Sequence, residues 1–369
     1  VGRESKDEYD ESLAGVLGVH RFPGVSPYVK ENDPKSGLLW MVDNGPLGEP
    51  GSANRFVNGY NFKFPYVKNP TPDNPGKALS LPVQDDPQMD SLLSRIGKAG
   101  YPISWPNRND ERKEIATGTI PGIQGDYPEG DWATRSQIWR THIEHCKRLT
   151  SFTGNDVRLN TSQNGETNGW PELYLRATRR MVGRYVMTQS DIALQTQIPD
   201  AIALGFYAVD MHPARLLVLE DGTLAHEGES TILVSPGPFG LPYRFITPKT
   251  EECKNLLVPV CFSASHLAHA AIRLEAQYML LGESAGVAAA QAIAEKKSVQ
   301  EIDVNQLQNK LRSYGQKIEW DQPLFGRWRT SVFTKRYPPH ILYHWQNHPE
   351  DYPVFLPEPP KDVPILVDN

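Results

Sequence analysis

The chain has 369 residues, enough for two domains or one large layered core, and with 39% hydrophobic and 22% charged residues it reads as folded rather than disordered. A net charge of −6 and a pI near 6.0 exclude the basic footprint of a nucleic-acid binder. No apolar run reaches the roughly 20 residues of a membrane span. Cys146, Cys253 and Cys261 are too scattered for a disulfide framework or a paired-thiolate metal site, and read as buried thiols.

With 32 Pro and 29 Gly, the chain favours turns and long ordered loops over a helical bundle. Residues 1–130 carry short strand-like runs, Leu38 to Val42 and an alternating stretch from Phe56 to Phe64. The prolines between Asn69 and Gly76 make that segment a loop. From Trp132 to Thr150 the row Ile138, His142, Ile143, Cys146 and Leu149 predicts a helix. A second helix is expected over 171–187, with Leu173, Ala177, Met181 and Val182 as its apolar face. Arg176, Arg179, Arg180 and Arg184 would form its salt-bridged or solvated side. Ser190 and Asp191 offer a cap for a short turn.

Strand signals follow at Phe206 to Val209 and Leu216 to Leu219, the second closed by a hairpin composition over Glu220 to Thr223. Asn255 to Phe262 reads as a buried strand, with Pro259 demanding an edge or a bulge. One long helix is expected over 268–294, then a shorter one capped by Asp303, with Gln306 reaching back and Gly315 ending it. The tail from Pro349 to Asn369 is Pro-rich and acidic, and reads as extended over the surface or partly disordered.

Two features of the long helix carry function. Gly282, Gly286, Ala290 and Ala294 recur every fourth residue, with Ala285 and Ala289 beside them, which makes a flat face where another backbone can approach. The two glycines cost about 1 kcal/mol each relative to Ala, a cost that close packing would explain. At the entrance stand Ser263, Ser265 and His266, with Arg273 and Glu275 in the early turns. A helix N-terminus there would favour an electron-rich ligand edge.

In order along the chain, Gly59-Tyr60-Asn61-Phe62-Lys63, Tyr174-Leu175-Arg176, Asp210-Met211-His212, Leu241-Pro242-Tyr243-Arg244, the Ser263-Ala264-Ser265-His266 loop, Leu281 to Gly286 and Gly315 to Trp320 resemble a family of FAD-dependent oxidoreductases, often labelled xanthan-lyase-related. Val1 to Ser5 fits the same series, so the resemblance runs to about Trp320. It implies an α+β or α/β fold: a mixed-sheet substrate-side domain over 1–250, the C-terminal part of a flavoprotein FAD-binding domain over 251–320, and a surface tail over 321–369. It implies FAD as cofactor, with Ser263, Ala264, Ser265, His266, Arg273, Gly282, Glu283, Ser284, Ala285 and Gly286 as contacts. His266, His212 and Arg273 would work on the substrate side, positioning a small molecule or moving a proton. Asp210 and His212 can also be read as a hydrogen-bonded pair at a strand end. The family's usual pattern has Tyr or a similar residue where His269 stands and Gln where Glu283 stands, so Glu283 brings a negative charge toward the flavin.

FAD binding in this fold needs a G-x-G-x-x-G turn after a strand, and no such spacing occurs in the 369 residues. The reading is therefore a C-terminal portion whose dinucleotide-binding half, or another chain, packs on the 282–294 face. Secreted or periplasmic placement is the family's habit; the sequence itself leaves the compartment open. A rival reading is a non-catalytic carbohydrate- or ligand-binding module on the same scaffold, with Trp40, Tyr60, Phe62, Phe64, Trp105 and Trp132 stacking on sugar rings. A serine hydrolase built on Ser263 or Ser265 with His266 or His269 is disfavoured, since neither serine stands in a G-x-S-x-G elbow.

Overall fold

A computed structural model describes residues 19–46, 55–65, 71–73, 75–78, 83–100, 112–114, 120–153, 158–160, 164–192, 194, 196–207, 209–210, 212–227, 232–234, 237–321 and 329–330. Val1 to Ser5, Trp105, Met211 and the tail from 322 on, apart from 329–330, lie outside them. In chain order the strands are β1 (Val19–Phe22), β2 (Val42–Asp43), β3 (Lys63–Pro65), β4 (Lys77–Ala78), β5 (Arg112–Glu114), β6 (Arg158–Leu159), β7 (Ala201–Gly205), β8 (Val209–Asp210), β9 (Arg215–Val218), β10 (Leu224–Glu227), β11 (Ile232–Val234), β12 (Phe239–Pro242) and β13 (Arg329–Thr330). The α-helices are α1 (Pro87–Lys98), α2 (Trp132–Thr153), α3 (Gln189–Ile192), α4 (His266–Ile272), α5 (Glu275–Glu295) and α6 (Val304–Ser313).

Small sheets and helices share the chain, an α+β arrangement. The largest described sheet runs β1-β10-β9-β2, with β9 and β10 joined by the expected tight hairpin. Two cores form. One gathers Phe62, Leu92, Ile138, Cys146 and Leu173 around α1 and α2. The other gathers Ile202, Leu241, Phe245, Phe262 and Leu267 with the inner faces of α5 and α6. Among the described residues strand β7 pairs only with β12, and it lies against α5 and α6, whose polar side chains reach its carbonyls. Ser284 Oγ donates to Ile202 O at 3.0 Å, and Gln308 Nε2 donates to Ala201 O at 3.0 Å. These bonds satisfy carbonyls of a buried strand.

Several elements depart from the sequence reading. The expected 171–187 helix is an extended segment. Its N–H groups go to neighbouring chain instead: Tyr174 to Asn61 O at 2.8 Å, Met181 to Cys261 O at 2.8 Å and Met187 to Ser263 O at 3.0 Å. Arg176 and Arg180 turn inward to donate to Gly59 O and Ala264 O, so they are structural cross-links rather than a solvated face. Arg179, paired with Glu129, and Arg184 stay at the surface as expected. Gly183 is required here, because a Cβ would lie 2.6 Å from Thr247 O.

Residues 255–262 are irregular, bent backbone rather than a buried strand; Leu256 and Val260 are exposed, and Pro259 cannot serve a ladder. Phe56 to Phe62 is buried at every position instead of alternating, and only 63–65 is strand. The 206–209 run divides: Phe206 is half exposed and the pairing falls on 201–205 and 209–210. Asp191 caps from inside the α3 turn, accepting Thr188 N–H at 2.8 Å. Asp303 caps α6 as expected, but Gln306 accepts from Gln291 Nε2 at 3.3 Å rather than reaching back. Of the thiols only Cys146 is buried, whereas Cys261 is exposed.

The predicted 268–294 helix is two helices with a break at Arg273 and Leu274, and Leu274 is extended (φ −75°, ψ 137°). No Pro or Gly causes it. Gln277 folds back from α5, donating through Nε2 to Ile272 O at 2.6 Å and accepting Phe206 N–H at 2.7 Å through Oε1. That side chain caps the end of α4 and turns the chain, which leaves Arg273 at the corner.

Candidate functional site

The corner is built from what surrounds Arg273. Its guanidinium donates through Nη2 to Asp210 Oδ2 at 2.8 Å and to Asp210 O at 2.9 Å. Strand β8, paired with β11 and packed on α4, holds Asp210 in place. Tyr207 OH donates to Asp210 Oδ2 at 2.8 Å, and His212 Nε2 lies 3.2 Å from Asp210 Oδ1. His212 is itself oriented by its backbone N–H, which donates to Asn58 Oδ1 at 3.0 Å. The sequence placed His212 and Arg273 on the substrate side, and the fold brings them together on one carboxylate.

Electrostatics fix the charge states. Burial pushes the Asp210 carboxyl up, but His212, Arg273 and Tyr207 outweigh it and hold it far below the usual carboxylate range. Burial works against charged Arg273 as well, and Asp210 reverses it. His212 is drawn down first by burial and then by Arg176, against the pull of Asp210. A neutral imidazole giving its Nε2 hydrogen to Asp210 keeps Nδ1 as its basic atom. Burial and then Asp210 raise the Tyr207 phenol, which stays protonated as a donor.

Beside this cluster lies a cavity of about 70 Å³ lined by Lys63, Tyr174, Arg176, Asp210, Arg273 and Glu275, among others. Lys63 Nζ sits 3.6 Å over the Tyr174 ring, whose hydroxyl donates to Glu275 at 3.1 Å. The sequence reading assigned none of Lys63, Tyr174, Tyr207 and Glu275 to a site. Tyr207 was within reach of local reasoning, three residues before Asp210. Lys63 and Tyr174 meet only because Asn61 and Tyr174 form a bridge across 113 residues.

The expected cofactor contacts fall into two sets. Ser263, Ala264, Ser265 and His266 are buried. Ser263 Oγ accepts Gly183 N–H at 2.9 Å, and Ser265 Oγ caps α4 by accepting Ala268 N–H at 3.2 Å. Arg180 holds Ala264 O. Ser263 and Ser265 thus spend their side-chain oxygens within the fold. His266 sits in the core, away from the exposed surface. His269 is buried too; burial and then Arg180 draw its pKa well down, so the ring is neutral.

On α5 the pattern reverses. Ser284 and Ala285 pack inward, whereas Gly282, Glu283 and Gly286 are exposed, and a Cβ at either glycine would meet nothing within 4 Å. Ala290 and Ala294 continue this open face, flanked by Met279 at 74% and Ile293 at 78% exposure.

A family model, FAD dependent oxidoreductase, matches residues 1–311. The chain belongs to that family. Curated proteins and solved structures gave no match. The family carries flavin redox function, and the expectation drawn from the ordered motifs holds at that level. Among the described residues no helix is long and apolar enough to cross a membrane, and no cluster of His, Cys, Asp and Glu is arranged to hold a metal ion.

Proposed function

We propose that this chain forms the substrate side of an FAD-dependent oxidoreductase, of the xanthan-lyase-related type, acting on a small-molecule or carbohydrate-related substrate. The carrying observation is the convergence of Arg273, Asp210, His212 and Tyr207 within a chain whose family is flavin-dependent. In this reading Arg273, locked by Asp210, presents a fixed positive charge. His212 is the group able to take or return a proton through Nδ1. Ser263, Ala264, Ser265 and His266 act from beneath as positioning residues: they cap and seat α4, and α4 ends on Arg273.

The open α5 face is the second half of the reading. Exposed Met279 and Ile293 flank a strip of glycine and alanine that the described fold does not use. Such a face suits close packing by a further unit. A dinucleotide-binding unit, on the same polypeptide or another, would cover it, and Gly282, Glu283 and Gly286 would face that unit and its flavin. The 251–320 segment is then the junction between the two halves. The natively purified assembly tests this: Ile293→Glu should leave the chain folded by circular dichroism but cost the assembly its flavin. Unchanged flavin content in that variant would remove the partner face from the account.

A further inference from the structure

We infer that the cavity between Lys63, Tyr174, Arg176 and Arg273 is a recognition site for a carboxylate group, so that the substrate class is a small carboxylic acid. This deepens the proposed function and rests on its assignment of Arg273 to the substrate side.

The size sets the first limit. About 70 Å³ holds a few waters or one small polar group, and not a ring. The lining is polar almost throughout, so the site selects a charged or hydrogen-bonding occupant.

Charge sets the second. Lys63, Arg176 and Arg273 face Asp210 and Glu275, which leaves one excess positive charge. Asp210 is already committed to Arg273, His212 and Tyr207, and Glu275 accepts the Tyr174 hydroxyl. Lys63 has no ion-pair partner among the described residues; its ammonium rests on the Tyr174 ring. Arg273 is buried, and its Nε has no hydrogen-bond partner among the described residues. A monoanion completes this balance, whereas a phosphate dianion would meet the two carboxylates at close range. Planar guanidinium groups also match a planar carboxylate better than a tetrahedral anion.

The geometry gives the residues distinct roles. Arg273 is held rigid by two bonds to Asp210, so it fixes direction. Lys63 is exposed at the mouth and supplies the movable charge that follows the ligand inward. Lys63 Nζ and Arg176 Cζ both lie over the Tyr174 ring, at 3.6 and 5.5 Å from its centroid, so its electron-rich face tempers two like charges.

The test uses the full chain and two substitutions at the cavity. Sodium acetate is titrated at constant ionic strength against sodium chloride and sodium phosphate, with the melting temperature as readout. Acetate should raise it saturably, and chloride should not. Lys63→Met should weaken the acetate response about ten-fold. Glu275→Gln, which removes a repelling charge, should tighten it a few-fold. The opposite signs separate a site effect from lost stability. No acetate response in the unsubstituted chain, an equal response in Lys63→Met, or a stronger response to phosphate than to acetate would each overturn the inference. Flavin content is measured separately: acetate binding by a protein that never takes flavin would keep this site and sink the oxidoreductase reading.

Discussion

Asp210→Asn removes the charge on which the corner of the fold depends while keeping the side chain's shape. Arg273 is 4% exposed and Asp210 15%, so water does not replace what is lost. Charge centres roughly 4 Å apart attract by about 4 kcal/mol at an effective dielectric near 20. Asparagine can still accept one neutral hydrogen bond from the guanidinium, which returns about 1 kcal/mol. A net loss of about 3 kcal/mol is expected, within the range for stranding one partner of a buried pair. The assay is urea unfolding, with Glu319→Gln as control: it breaks the surface pair with Arg312, whose side chains are 41% and 70% exposed, and should cost less than about 1 kcal/mol. Arg273→Met added to Asp210→Asn should recover part of the loss, because the stranded charge goes with it. If Asp210→Asn costs no more than Glu319→Gln, Asp210 is not the counter-ion that holds Arg273, and the site described above loses its anchor.

Three further outcomes follow from the packing and the buried histidines. Gly282→Ala and Gly286→Ala should each stabilise the isolated chain by about 1 kcal/mol in urea, since neither Cβ meets an atom within 4 Å; a loss would mean the face is already occupied. Gly183→Ala should cost about 2 kcal/mol or more, because its Cβ would sit 2.6 Å from Thr247 O; an unchanged midpoint would refute the close approach of the two segments. Burial draws His142 down to about 4, below the ordinary histidine value of 6.5. Between those values the unfolded chain binds a proton that the folded chain refuses, so stability rises with pH across that window and about 3 kcal/mol is lost between pH 7 and pH 4. His142→Leu should remove that share of the slope and leave the part due to His212 and His269, and unfolding midpoints measured from pH 4 to pH 7 check it.

Local signals were legible where local physics decided the outcome. The α2 row from Ile138 to Leu149, the β9–β10 hairpin and the Asp303 cap on α6 all formed as their spacing required. Segments that bond across the fold were not legible. The 171–187 stretch has helical spacing, yet its backbone donors are taken by Asn61, Cys261, Thr247 and Ser263, and Arg176 and Arg180 reach carbonyls far along the chain. The break before α5 has no sequence mark, since Gln277 makes it from four residues downstream. The same holds at the site. His212 and Arg273 stood out through the family motifs, but their common partner was assigned only as a strand-end bond, and Lys63 and Tyr174 joined the cavity through a bridge no periodicity reports.

The most direct measurement is the visible spectrum of the assembly purified under native conditions, before and after anaerobic dithionite. The account predicts a flavin band near ~450 nm that bleaches on reduction and that the 369-residue chain, stripped of its partner unit, does not regain with added FAD. A colourless native assembly would contradict the flavin-dependent function, and tight FAD binding by the chain alone would contradict the need for a second unit on α5.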